Sequence, residues 1–483
     1  MHEKYLTYEQ FGAKGDGITN DQHAIFECHS SANKQGIPVK ARDGARYYIG
    51  CEDLTAIIRT DVYFGTAEFI IDDTNVVNRK SAVFKVESDY EMFPIYCTNL
   101  SCEQSSINNP ISEELFVKIR SDEKKVFIRR GLNQNEGVGI CDCFILDANG
   151  RIKNKVNWNY AKITNACARK IDNKQIVIDG GVFTTIANKS LPLYNYYERG
   201  IIINRDKTIV KNIKHYIVNE EKFGAPYRGF LSIIDCTDVV IRDCIFTPHR
   251  TYLTASKVFG KLVPMGTYDI YLESSIRVKL YNIEQTIDIM NPQYWGIMSS
   301  NFCKEITLYS SVLSRFDAHM GVTDVNIHKC RFGYQGINVI GFGDMIVEDS
   351  IVESTNYIIL RSDYGASWNG RIIIRKGVWR PNGNDSSIIS AFNDEEHDFG
   401  YQCQMPETII IDGFLIDVEI CNATQFYVLS DLSNFKSLGN DEAKFNYLTT
   451  RKMYVSNVLI GNRKKLIPCK NYEQYQDLKM YFS

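Results

Sequence analysis

Between Lys304 and Glu353 the chain repeats one unit three times: "KEITLYSSVL" from Lys304, "DVNIHKCRFG" from Asp324 and "DMIVEDSIVE" from Asp344. The copies are evenly spaced, so like residues stack in columns: Val312, Phe332 and Val352 are apolar, and Ser310, Cys330 and Ser350 are small. A fixed period of about 20 built from short β-rich runs is a solenoid signature. One coil of that length cannot bury its own apolar face, whereas stacked coils pair strand on strand and share a core. The repeat therefore predicts a parallel β-helix.

Related coils extend the pattern in both directions. "QIVIDGGVF" from Gln175, "TIVKNIKHY" from Thr208 and "DVVIRDCIF" from Asp238 match the second strand of the unit. "RGIII", "RGFLSI", "MGTYDIY", "WGIMSS", "QGINVI" and "NYIILRSD" read as strands that open successive coils. From 88 to 174 the pattern is lost, and short alternating strands with a turn at Asn149 and Gly150 predict an antiparallel β insertion. The expected organisation is a cap and first coils over 1–87, the insertion over 88–174, the main coils over 175–420, and a last coil with C-terminal cap over 421–483.

The N-terminal stretch reads "YEQFGAKGDGITNDQHAIFECHSSANKQGIPVKARDGARYYIG". Thr19 with Gln22 three positions on has the spelling of a capping box, and Ala24, Ile25, Cys28 and Ala32 give one apolar helical face that Gly36 ends. Laid across the first coil, such a helix would cover unpaired strand groups. "FGAKGDGITND", a helix and a strand ending in "YYIG" resemble the N-terminal signature of the pectin-lyase-like superfamily. Within it the nearest likeness is to pectate-lyase-3-type proteins, family 28-like glycoside hydrolases and related tailspike depolymerases. The resemblance runs from the N-terminus to about Gly50 and implies a right-handed parallel β-helix that acts on or binds a polysaccharide. It does not extend to the reaction. The Asn-Thr-Asp, Asp-Asp, Gly-His-Gly and Arg-Ile-Lys motifs of family 28 polygalacturonases do not occur in order, and "GRIK" at Gly150–Lys153 lies in the insertion.

Composition limits the partners. A formal charge of −3 argues against nucleic acid or an anionic membrane surface, and no apolar run is long enough to cross a bilayer as a helix. The start lacks a signal peptide's apolar core, so the sequence as given reads as cytoplasmic, or as secreted if a leader precedes it in the native protein. Fourteen cysteines are scattered rather than paired, several inside predicted strands, which suits reduced, buried thiols. Nothing predicts a resident metal, and either a monomer or a homo-oligomer such as a trimer suits the chain.

Sugar cleavage needs two carboxylates about 5 to 9.5 Å apart, a spacing that outward residues one or two coils apart supply. Carboxylates and their companions sit where the opening strands break pattern: Asp269, Asp317 with His319, and Arg361 with Asp363. Asp269, amid Tyr268, Ile270 and Tyr271, is expected on an outer face. Asp317 and His319 alternate around Ala318 and so share a face. A rigid period would put Asp317 in line with Ile297 and Ile337, a buried column in which a lone carboxylate is costly, so a register irregularity near Arg315 is expected. Asp324 reads as a turn residue, and Arg361 and Asp363 pair with each other or grip a sugar. Tyr194, Tyr197, Tyr271, Trp295, Tyr364 and Trp368 offer flat amphipathic rings for sugar faces. The acidic run Asp394–Asp398 reads as a solvated loop.

Three functions fit. The first is a glycoside hydrolase using Asp269 and Asp317 with His319 in support and Arg361, Asp363 and the aromatic residues binding substrate. The second is a polysaccharide lyase or epimerase, with Lys257 or Tyr271 as base and Arg361 or Ca²⁺ neutralising a uronate. The third is a non-catalytic carbohydrate-binding β-helix of the tailspike kind.

Overall fold

The computed structural model describes residues 5–128, 136–191, 196–221, 224–255, 262–265, 267–391, 404–419, 421, 423–430, 448–461, 464–475 and 477–483. Tyr194, Lys257 and Asp394–Asp398 lie outside these residues, as do the side chains of Thr254, Ala255, Leu262, Val263 and Asp363.

Parallel ladders run the length of the chain. One inward column is Val39, Val62, Ile178, Val210, Ile241, Leu280, Leu308, Ile327, Val347, Ile374, Ile411 and Val455, each paired with the next. A second is Phe84, Ile201, Leu231, Ile270, Met298, Phe316, Ile337, Ile358 and Ile389. The third wall carries Tyr47, Phe69, Phe183 and His215, then Leu313, Phe332, Val352, Trp379 and Ile416. β-branched and aromatic side chains suit this pleated, half-buried surface, and each fully buried one contributes about 1.5–3 kcal/mol. Neighbours such as Tyr271, Asp317 and Asn338 alternate outward.

The sequence period is kept only in the later copies. Val325 pairs with Met345 and so keeps it, but Ile306 pairs with Val325, one position short of the full repeat. The inward column therefore takes Leu313, not Val312, beside Phe332 and Val352, and Ser311, not Ser310, is the buried small residue.

The cap helix spans Gln22–Gln35 and ends at Gly36, left-handed at φ 65, with Ala24, Ile25, Cys28 and Ala32 buried. Its N-cap is Asp21, not Thr19, and Thr19 instead donates its hydroxyl to Asp16. The Asp21 carboxylate accepts the backbone N–H groups of Lys14 and Gly15 at 2.7 and 3.0 Å, so the glycine turn is tied to the helix start. Gly15 has φ 61, and a Cβ there would stand 2.8 Å from the Arg42 guanidinium.

The insertion is a four-stranded antiparallel sheet of Phe93–Pro94, Leu115–Val126, Val138–Leu146 and Asn165–Lys170. It lies against the coils along the line of Ile276, Phe302, Met320, Ile340 and Tyr364. Asp142 and Lys304 form a buried ion pair across this contact, and Lys118 meets Asp235 at 2.6 Å. The sheet thereby walls one side of the Ile270–Phe316–Ile337 face.

Candidate functional site

On that wall Ile270, Leu272, Met298, Ser300, Phe316 and Ala318 point inward and are buried. Alternation turns two lines outward: Tyr271, Ser299, Asp317 and Asn338 in one, Glu273 and Asn301 in the other. The pairing offset changes between Leu313 and Arg315, from Leu313–Phe332 to Arg315–Gly336. Asp317 consequently leaves the Ile297 and Ile337 column and pairs with Ser299 and Asn338. His319 occupies a bulge, since Ala318 pairs with Ser300 but Met320 with Asn301.

Asp317 is 0% exposed and fully bound. One carboxylate oxygen accepts Arg361 at 2.5 Å and forms an ion pair with Arg315 at 3.0 Å, and the other accepts the Tyr268 hydroxyl at 2.5 Å. Burial alone would raise its pKa, but the charges of Arg315, Arg361 and His319 prevail and hold it below the usual carboxylate range. His319 Nε2 lies 3.1 Å from the Tyr364 hydroxyl, and the Arg315 guanidinium sits 5.6 Å over the Trp295 ring.

Two rungs away, Glu273 accepts the Tyr271 hydroxyl at 2.5 Å and pairs with Arg228, whose other amino group meets Glu198 at 2.9 Å. Arg228 also lies 4.4 Å over the Tyr271 ring, and Asn301 donates to the Tyr271 hydroxyl at 3.1 Å. Burial first, then the Glu273 charge, pushes the Tyr271 phenol upward. Asn301 Oδ1 and Arg315 Nε are buried on this face without a protein partner. Unpaired buried polar atoms are costly, and one acceptor and one donor are left unsatisfied along these rungs.

The structure thus brings together Asp317, His319, Arg361, Tyr364, Trp295 and Tyr271. The side chain of Asp363 is outside the described residues. The expected placement of Asp269 needs correction. It stands at a strand corner in the column of Phe230 and Ile297, core residues both, so its side chain turns inward and is 0% exposed. Its oxygens meet His215 Nδ1 and His249 Nε2, each at 2.7 Å, on the inner side of the wall, opposite to Asp317. Trp368 is likewise core, 0% exposed, its indole N–H donating to the Gly343 carbonyl at 3.0 Å. Tyr197 is buried against Tyr227 and Arg79 and bonds Ser190. Asp324, expected in a turn, sits instead at a register irregularity within the strand Val312–His328, at φ 56, and its carboxylate accepts the Asp344 N–H at 2.8 Å. Sequence reasoning missed Glu273, Arg228, Glu198 and Asn301. The alternation "IYLE" at Ile270–Glu273, apolar in and polar out, carried the signal for Glu273.

No protein-family model matches the sequence, and no curated protein sequence matches it. Solved structures do. The Gp54 tailspike of Acinetobacter baumannii bacteriophage AP22, solved in complex with A. baumannii capsular saccharide, aligns at TM-score 0.53 and 10% identity over 99% of this chain and 79% of its own. The gp61 tailspike of Pseudomonas phage phi297 aligns at TM-score 0.50 and 10% identity over 95% and 81%. An exopolygalacturonase from Thermotoga maritima aligns at TM-score 0.38 and 10% identity over 100% and 92%. The ladders and the likeness to the two tailspikes together show that the chain has the parallel β-helix fold.

Proposed function

We propose that the protein is a glycoside hydrolase that binds an oligosaccharide or polysaccharide across the rungs of this outer wall. The observation that carries the reading is that two carboxylates, Glu273 and Asp317, stand on the outer side of one ladder from rungs two apart, each held by arginine. Two rungs correspond to about 10 Å along the stack, so leaning side chains leave room for a sugar and a water between them.

Their surroundings divide the labour. Asp317, its pKa held down, is a fixed anion that orients Arg315 and Arg361 and opposes positive charge developing on the sugar. Glu273, which pairs with Arg228 and accepts the Tyr271 hydroxyl, is assigned the acid that serves the leaving oxygen. Trp295, Tyr271 and Tyr364 give ring faces to the sugar. The tailspike in complex with capsular saccharide supports carbohydrate as the ligand class. A lyase built on Tyr271 as base is the weaker alternative, because the upward shift of that phenol opposes its acting as one. Among the described residues no three His, Cys, Asp or Glu side chains converge to hold a metal ion.

Screening bacterial capsular polysaccharides for release of reducing ends tests the reading. Glu273→Gln and Asp317→Asn should each lower turnover roughly a hundredfold or more while saccharide binding persists. Undiminished turnover in either variant, or an unsaturated ultraviolet-absorbing product, would sink the hydrolase assignment.

A further inference from the structure

Tyr268 and Asp269 are consecutive, yet their side chains leave the chain on opposite sides of the wall. The Tyr268 hydroxyl reaches outward to Asp317 at 2.5 Å, whereas Asp269 turns inward between two histidines. His215 stacks on Phe230 at 3.9 Å in the core and passes its other nitrogen to Thr185 at 2.9 Å. His249 Nδ1 meets Glu220 at 3.0 Å, and Glu220 also accepts the Tyr252 hydroxyl at 2.7 Å and the Arg250 N–H at 3.2 Å. The Thr247 N–H adds a third bond to Asp269 at 3.2 Å. His249 and Asp269 are 20 residues apart in the chain, and their contact pins the residue next to Tyr268.

We infer that Asp269 is a positioning residue: clasped by His215 and His249 inside the β-helix, it fixes the peptide that presents the Tyr268 hydroxyl to Asp317 on the outer side of the wall. A carboxylate in a core column is expensive unless its partners are complete, and here every partner but the backbone amide comes from a different strand or loop. Packing alone would be served by an apolar residue such as Phe230 or Ile297 in the same column. The network instead specifies where one peptide sits to within hydrogen-bond tolerance, which the short Tyr268–Asp317 bond requires. As far as it concerns turnover, this inference rests on the hydrolase reading.

Two arms test it on the full chain. In the first, meta-fluorotyrosine is placed at position 268 and followed by fluorine NMR. Asp269→Asn and His249→Gln should each shift that resonance and bring the phenol's ionisation back towards that of free fluorotyrosine, as contact with Asp317 is lost. An unchanged resonance in a folded Asp269→Asn protein overturns the inference, and an unchanged resonance in His249→Gln overturns it equally if the asparagine variant does not fold. In the second arm, reducing-end release from the most active capsular polysaccharide is compared. Asp269→Asn and Tyr268→Phe should each lower kcat about tenfold with KM unmoved, and the double variant should be no slower than Tyr268→Phe alone. Losses that multiply would mean that Asp269 acts by another route. If Asp317→Asn keeps full turnover, the hydrolase reading fails, and the fluorine arm still decides the clasp.

Discussion

Asp317 holds the site's charge together, because two guanidinium groups and a phenol close on one desolvated carboxylate. Removing it leaves Arg315, which is 5% exposed, without its counter-ion. Asp317→Ala should therefore cost about 3–5 kcal/mol by urea denaturation, and Asp317→Asn less, since an amide oxygen still accepts one bond. The pH dependence has a definite sign. A carboxylate whose folded pKa lies below 3.8 contributes stability that is fully present above 3.8 and is lost as pH falls through the lower folded value. Asp317→Asn should accordingly flatten the acid limb of the stability curve below pH 3.8. At this scale the sequence was legible where alternation decided the matter. Asp317 and His319 flank inward Ala318, and Asp317 takes the outward side that alternation assigns it. It failed at Asp269 for a local reason, since alternation does not carry through a strand corner. It failed at Trp368 because an aromatic residue beside glycines in a loop spelling can equally be the plug of a core.

The insertion packs on the coils through a contact with its own weak point. Lys304 Nζ pairs with Asp142 at the interface, both 2% exposed or less, and also bonds the Lys155 carbonyl. Lys304→Met would strand the Asp142 carboxylate, already pushed upward by burial, in an apolar contact. The expected cost is about 3–5 kcal/mol, falling on docking rather than on the coils. Amide exchange should then accelerate across Leu115–Val126 and Val138–Leu146 while Ile306, Ile327 and Val347 stay protected. Equal acceleration in both sheets would show that the insertion and the coils unfold as one unit. Phe127, at φ 55, packs edge-on against Tyr364 at 5.3 Å, so loosening the insertion should also disturb the Tyr364–His319 bond. The antiparallel strands were visible in sequence because alternation and turn residues are local. Which face they cover was not, because that contact joins Phe116 and Phe127 to Ile276 and Tyr364, far apart in the chain.

Across the whole molecule, the β-helix core is unusual in enclosing charge, and that charge should set how stability responds to pH. His249 is held between Asp269 and Glu220, with His215 and Tyr227 packed against it. Burial pushes the imidazole pKa down, but the two carboxylates outweigh it and raise it to about 10. A raised folded pKa means stability that is fully present below the unfolded value of 6.5 and is lost as pH climbs to about 10. Asp73 and Asp206 act in the same direction at lower pH. Burial, against the pull of Arg199 and Arg169, raises them to about 7 and about 6 from 3.8, so each loses its contribution across that interval. His29 opposes them: burial lowers it to about 3, so its contribution is present above 6.5 and lost as pH falls towards 3. The alkaline limb thus belongs chiefly to His249 from 6.5 up to 9.0, at about 1.4 kcal/mol per unit of pKa displacement, and above 9.0 the buried thiols, their pKa values raised by burial, add to it. Thermal unfolding of the wild-type chain should show Tm falling over that interval, and His249→Gln, less stable at neutral pH, should fall much less steeply. Parallel curves for the two proteins would place the alkaline sensitivity elsewhere in the chain and show that the buried histidine is neutral.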